Sequence, residues 1–319
     1  MLYLGLMADY PKTLSEFEAR FSSEEACRDY LYRLRWPKGF QCPRCGHQKA
    51  WPANRMLFQC ARCDGQVSVI AGTIFHGTHK PLTLWFRTIW WLTGQKNGAS
   101  ALGLKNILGL GSYRTAWTWL HKLRRAMVRP GRDRLTGVIE VDETYLGGEK
   151  TGRRGRGAAG KSLVVISAEI NGGRIGRIRL RRIMDASADS LGPAVREAAD
   201  VGAVIRTDGW SGYCQLNHLG YDHEVVRKES AVGDNLLPSC HRVASLLKRW
   251  LLGTHQGAVS HEHLEYYLDE FTFRFNRRTS RHRGKLFYRL LQNAVEVDPV
   301  TYRQMVKQAR GRKSRNYKM

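Results

Sequence analysis

Two C-x-x-C pairs constrain this chain more than any other feature. Cys42 and Cys45 stand in "CPRC", Cys60 and Cys63 in "CARC", with fourteen residues between the pairs. Each short loop carries two thiols to one side of a tetrahedral ion, and two such loops close a four-thiolate zinc site. The spacing predicts a zinc ribbon over residues 39–79, with short β runs between and after the pairs. Gly46 and Gly65 follow the pairs, where the turns must tighten. Four thiolates complete the coordination shell, so this zinc holds structure and leaves no position open to a substrate. His47 is placed to compete as a ligand, but an exposed turn histidine is the plainer expectation. Cys27, Cys214 and Cys240 are expected to behave as small apolar residues. An odd cysteine count built around C-x-x-C pairs belongs to a reducing compartment, and the chain reads as a cytoplasmic, bacterial-style protein.

The texture changes several times along the 319 residues. Residues 12–36 read as helix, with Phe17 and Phe21 on one face and Leu31 and Leu34 on another. After the ribbon, residues 80–130 turn helical and Trp-rich. Within them "GQKNGASALGLKNILGLGSYRTAWTWLHKLRRAM" predicts a helix-turn-helix: Ala99, Leu102, Leu104 and Ile107 supply an apolar face, and Gly109 and Gly111 bracket the turn. From Leu135 the pattern becomes α/β, with strand-like "GVIEVDE", "SLVVISAEI", "GRIRLRRI" and "AVIRTD" around helix-like "SADSLGPAVREAAD". Residues 241–275 read as mostly helical. The expected division is an N-terminal helical segment 1–38, the ribbon 39–79, the helix-turn-helix region 80–130, a catalytic region 135–295 and a basic tail 296–319. The fold class is therefore multidomain, α+β and α/β, ending in a mixed-sheet core.

Charge narrows the function. The chain carries 52 Lys+Arg against 28 Asp+Glu, a formal net charge of +24. An excess of that size points to nucleic acid, and arginine suits phosphate and guanine contacts. A membrane span is not expected: the most apolar run, "LWFRTIWWLTG", is interrupted by Arg87 and is far short of the ~20 residues required. The first residues lack the basic stretch and cleavage site of a signal peptide. Candidate DNA contacts are Arg114, Lys122, Arg124 and Arg125 on the second helix of the pair, Arg153 and Arg154 in the Gly/Arg-rich "EKTGRRGRGAAGK", and Arg277 and Arg278 after an aromatic strip. In that strip Phe271, Phe273 and Phe275 alternate, which fits a short strand or a core helix.

Against this basic background, acids cluster in "GVIEVDETYLGG". Glu140, Asp142 and Glu143 follow an apolar run, and in "AVIRTDGWSGY" a second run ends in Asp208. Two acids at the ends of neighbouring strands would hold magnesium or manganese, whose charge lets an acidic site accept DNA. Paired ions of that kind serve phosphoryl transfer. Glu140 shares strand parity with Asp142, and Glu143 faces away.

The order zinc ribbon, "GTIFHGTHKPLTLWF", "IEVDETYLGG", "IRTDGWSGY", "HRVASLLKRWLLGTHQGAVS" and "YLDEFTFRFNRR" resembles bacterial insertion-sequence transposases of the zinc-ribbon, DDE type. These form the ISXO2-like group, related to Merlin transposons, and the resemblance covers about residues 15–295. It implies an RNase H-like catalytic core, two metal ions, and DNA cleavage followed by strand transfer. It implies a homodimer or higher oligomer on terminal-repeat and target DNA, in contact with the nucleoid. Asp142 and Asp208 match the first two catalytic acids. Relatives carry Glu or Asn at the third position, with a basic residue about seven further on. Counting back from Lys248 gives His241, so His241 and Lys248 join the catalytic set; an alternative alignment gives Leu246, and Glu270 is held in reserve. Rival functions are a metal-dependent nuclease without strand transfer, and a DNA-binding regulator or degraded copy.

Overall fold

A computed structural model describes residues 9–129, 131–147, 161–226, 236–257 and 259–311. The chain forms two compact units, residues 1–130 with 280–319, and residues 131–279. The basic loop carrying Arg153 and Arg154 lies outside the described residues.

The first unit opens with α1 (Leu14–Arg20) and α2 (Glu24–Arg35), capped by Thr13 and Ser23, whose hydroxyls accept from Glu16 and Ala26 N–H groups. The segment 12–36, expected as one helical stretch, is therefore two helices broken at residues 21–23. Strands β1 (Ala50–Ala53), β2 (Leu57–Cys60) and β3 (Gln66–Ser68) form a three-stranded antiparallel sheet, the ribbon. Helices α3 (Leu82–Gly94), α4 (Ala101–Ile107) and α5 (Tyr113–Ala126) follow. Trp85 of α3 stacks on Trp119 of α5, with ring centroids 3.9 Å apart. The expected apolar face of α4 is only half right. Ala99 and Leu104 are buried, but Leu102 and Ile107 are exposed, because seven residues make too few turns to bury more than one stripe.

The second unit is a five-stranded mixed sheet: β4 (Val138–Leu146), β5 (Ser162–Asn171), β6 (Arg174–Ile183), β7 (Val204–Thr207) and β8 (Asp222–Val225), with α6 (Ala188–Ala198) between β6 and β7. The strand order is β6-β5-β4-β7-β8. Strands β4, β5 and β6 pair antiparallel as a meander, and β7 and β8 run parallel to β4. That is the RNase H-like arrangement expected. Helices cover both faces, which explains why β5 is buried from Ser162 to Ala168 and reads as an unbroken apolar run. On one face Ile139, Val141 and Ile205 pack with Leu191 and Val195 of α6. On the other, Val164, Ile166 and Ile178 pack with α7 (Pro238–His255) and α8 (Leu264–Phe275). The three phenylalanines lie on α8, not a strand: Phe271 and Phe275 face the sheet and Phe273 is buried beside them in sequence.

After α8 the chain returns to the first unit as α9 (Arg283–Ala294) and α10 (Tyr302–Gly311). Residues 280–295, expected with the catalytic region, therefore belong with the N-terminal helices, and the expected basic tail carries a helix from Tyr302. Phe287 of α9 is the reason: it is fully buried, with ring contacts to Phe17, Phe21, Tyr30, Phe86 and Trp90. Among the described residues no helix is long and apolar enough to cross a membrane.

Candidate active site

The ribbon site assembles as its spacing requires. The sulfurs of Cys42, Cys45, Cys60 and Cys63 all lie within 4.8 Å of one another. Cys42 and Cys63 sulfurs are 3.7 Å apart, and Cys45 and Cys60 sulfurs 3.6 Å. A tetrahedral zinc with bonds near 2.3 Å needs sulfurs about 3.8 Å apart, so the four thiols fit it. Both knuckles share one backbone pattern: Cys42 N–H donates to the His47 carbonyl and Gly46 N–H to the Cys42 carbonyl, as Cys60 donates to Gly65 and Asp64 to Cys60. The tight position is left-handed at Gly46 (φ 72°) and at Asp64 (φ 52°). Sequence reasoning placed the second of these at Gly65; an aspartate tolerates the conformation and takes it instead. The His47 ring is not part of the cysteine cluster. Cys27 and Cys240 are buried as expected, but Cys214 is exposed.

The acids lie just beyond the end of the β4–β7 pairing in the second unit's sheet. The last paired rung between the parallel strands is Glu140 with Arg206. Asp142 stands two residues further along β4, and Asp208 two residues beyond Arg206, just past the end of β7, so the pairing carries both acids beyond the same last rung. Asp208 is exposed and ends a turn that only glycine completes: Gly209 has φ 80°, and a Cβ there would lie 2.5 Å from Val225. Its carboxylate accepts the Trp210 N–H at 3.0 Å. Asp142 Oδ1 accepts the Glu143 N–H at 2.8 Å, and Oδ2 lies 3.3 Å from His241 Nε2. Burial first, then the charge of Glu143, pushes the Asp142 carboxyl up to about 6; the Glu143 N–H and His241 oppose that, and Asp208 adds to it.

His241 sits in the first turn of α7, half exposed, and Lys248 is exposed two turns on. Leu246 packs against the apolar core and offers no ligand. Glu270, which from sequence alone is expected on a solvated helix face, is instead fully buried on α8, where Arg274 donates to it at 2.8 and 2.9 Å. As expected from parity, Glu140 shares the face of Asp142 and Glu143 takes the other. Glu143 accepts the Tyr213 hydroxyl at 2.9 Å, and Glu140 is buried against the start of α7, accepting from the Ser239 N–H (2.8 Å), the Ser239 hydroxyl (3.0 Å) and the Cys240 N–H (3.1 Å). Ser239, Cys240 and Tyr213 had no motif to mark them. The signal available was Pro238, which opens a helix and leaves the next amides in need of an acceptor.

Asp142 and Asp208 offer hard carboxylate oxygens in a region crowded with negative charge, a donor set that fits magnesium or manganese. Among the described residues, however, only the four cysteines gather three or more ligand atoms within 4.8 Å of one another.

The candidate DNA contacts separate into two kinds. Arg114 is exposed, its guanidinium 3.8 Å from the Tyr302 ring centre. Lys122 and Arg125 are half-buried, and burial pushes the Lys122 ammonium down. Arg124 is buried at 2% exposure beside His121, so it serves the interior of its unit rather than a phosphate. Helical periodicity puts it on the Trp117–His121 face, and those rings stack 3.8 Å apart. Arg277 donates to the Phe273 carbonyl and lies over that ring. Arg278 is engaged with the carbonyls of Ile175, Gly176 and Phe275, fastening α8 to the start of β6.

A family model described as the ISXO2-like transposase domain matches residues 134–276, which include Asp142, Asp208 and His241. A model described as the transposase zinc-ribbon domain matches residues 22–66, which include all four cysteines. Comparison with curated proteins finds no match. The two matches fall in the same order as the ribbon and the mixed sheet: a transposase zinc-ribbon domain is followed by an ISXO2-like transposase domain.

Proposed function

We propose that this transposase cuts the ends of an insertion sequence and joins them to target DNA, with Asp142, Asp208 and His241 as its metal-site residues. The alignment of β4 with β7 carries the reading, because it carries two acids from distant sequence beyond the same last rung of one strand pairing. A divalent cation bound there, magnesium or manganese, supplies positive charge to the attacking and leaving oxygens of phosphoryl transfer, and a pair of ions does so for both at once. The protein's own part is positional. Asp142 and Asp208 supply oxygens, and His241 supplies a nitrogen on the facing helix. Lys248 lies seven residues beyond His241 on α7, exposed and on the same helical face, where it meets a backbone phosphate.

The ribbon, with α4 and α5, grips the terminal repeats, Arg114 being the most exposed cation of the set on α5. Arg153 and Arg154 contact backbone phosphates. Two ends must be joined, so the DNA complex holds two or more copies of the chain. Replacing Asp142 or Asp208 by alanine abolishes cleavage and joining of an end-bearing duplex while end binding persists. Normal joining by either variant would overturn the metal-site assignment.

A further inference from the structure

Glu140 lies outside the proposed metal set, yet it joins the two elements that carry it. Helix α7 has no side-chain cap of its own: Leu237 precedes it and Pro238 opens it. Proline has no N–H, and His241 N–H already donates to the Leu237 carbonyl at 3.0 Å. The donors left without a helical acceptor are the amides of Ser239 and Cys240. Both go to Glu140 Oε2, at 2.8 and 3.1 Å, and the Ser239 hydroxyl goes to Oε1 at 3.0 Å. The acceptor thus comes from a strand across the core, 99 residues away in sequence. Arg206, the rung partner of Glu140, gives its own guanidinium to Glu224 and leaves this carboxylate to the helix. Cys240 adds a second tie, its sulfur donating to the Ile166 carbonyl at 3.5 Å.

We infer that Glu140 is a positioning residue that sets His241 against Asp142. Asp142 is two residues from Glu140 on the same face of β4, and His241 follows directly after the two amides that Glu140 holds. One carboxylate therefore fixes the separation between the first and third positions of the site. Its charge suits the task, because a helix N-terminus favours an anion and a charged acceptor makes stronger bonds than an amide.

The inference rests on the catalytic role proposed for Asp142 and His241, and its test separates the two. Full-length Glu140→Ala and Glu140→Gln are compared with wild type on a duplex carrying the terminal sequence that flanks the gene, with magnesium or manganese chloride. Cleavage is measured at saturating DNA, DNA affinity separately, and amide hydrogen exchange in the absence of DNA. Glu140→Ala is expected to lower the cleavage rate about 100-fold, the scale of an ångström-level misplacement, with DNA affinity within about twofold of wild type. Glu140→Gln, which keeps an oxygen acceptor, falls between. Exchange should quicken at Ser239 and Cys240 while β4 and β5 stay protected. A wild-type cleavage rate in Glu140→Ala overturns the inference, and so does unchanged exchange at those two amides. If Glu140→Ala does not fold, Glu140→Gln decides by the same two readings: a wild-type rate or unchanged exchange overturns the inference. Asp142→Ala is run alongside. Joining by that variant removes the catalytic reading, whereas an inactive Asp142→Ala beside a fully active Glu140→Ala removes only the role of Glu140.

Discussion

Of the proposed metal-site residues, His241 carries the chemistry least like that of an acidic metal site. An imidazole adds no negative charge, so magnesium should bind more weakly than at a three-carboxylate site, and manganese should be relatively favoured. His241→Glu is expected to keep or raise magnesium-dependent cleavage, and His241→Ala to lose most cleavage with either metal. Full activity in His241→Ala would take the imidazole out of the site. A second residue governs stability. Burial alone would raise the Glu169 carboxyl, but Arg177, through its side chain and its N–H, and the Thr136 N–H bind the ionised form and hold it down at about 2. A carboxylate lowered in the folded state stabilises the protein above its ordinary value of 4.5, and that contribution is lost as pH falls from there towards 2. Allowing for solvent around Arg177, Glu169→Ala should cost on the order of 2 kcal/mol at pH 7 and progressively less below pH 4.5. Urea unfolding at pH 7 and pH 3 checks this; an equal loss at both would mean that the charge is irrelevant. Asp208, just past the end of β7, was legible because an apolar run stopping at an acid is a local pattern; Asp142, expected at a strand end too, lies inside β4, which runs on to Leu146 in its pairing with β5. The burial of Arg124 and Glu270 was not legible, because a basic or acidic helical residue reads as solvated until its tertiary neighbours are known.

At the scale of elements, legibility followed how much of the constraint was covalently local. The ribbon needed only two short loops and a spacing, and its sulfurs now stand at zinc-ligand separations. Its three strands are three or four residues long, and beyond Phe58, which meets Tyr32, Trp36 and Phe40, and the buried Val67 they have little core of their own, so their folding is expected to depend on the metal. Cys42→Ser or Cys60→Ser should therefore release the bound zinc and unfold β1–β3. The measurements are elemental analysis, expected to give one zinc per chain in the wild type, and hydrogen exchange over residues 40–68. Folded wild-type protein without zinc would contradict the assignment. The short helix α4 departs from its expected pattern for the opposite reason: its apolar residues fall on more than one face, and only the packed structure selects which of them are buried. The start of α7 was marked in sequence by Pro238 alone, and its cap was not marked at all, because Glu140 supplies it from a distant strand.

The whole molecule is shaped by a return that the chain's linear texture conceals. The second unit is inserted between two stretches of the first, which starts before residue 130 and resumes at 280. A basic, aromatic C-terminal stretch looks in sequence like an extension of the catalytic region or a tail; only the fit of Phe287 among aromatic rings from α1, α2 and α3 assigns it elsewhere. The net charge of +24 belongs to this scale too. If end binding neutralises six or more phosphates, affinity should fall by roughly 10³ or more between 50 and 200 mM salt, and a flat response would detach the charge from DNA. The inserted arrangement makes a further demand. Phe287 is fully buried, and its truncation leaves a cavity lined by rings that cannot collapse freely, so Phe287→Ala should cost about 3–5 kcal/mol. That loss belongs first to the unit that owns the ring. Hydrogen exchange should quicken in α1, α2, α3 and α9, which lie on both sides of the insertion in sequence, while β4, β5 and β7 keep their protection. Removing residues 280–319 should have the same signature in α1–α3, more severely. Equal loss of protection throughout residues 131–279 in Phe287→Ala would show that the two units unfold as one, and protection lost in α9 alone would show that the N-terminal helices hold together without it.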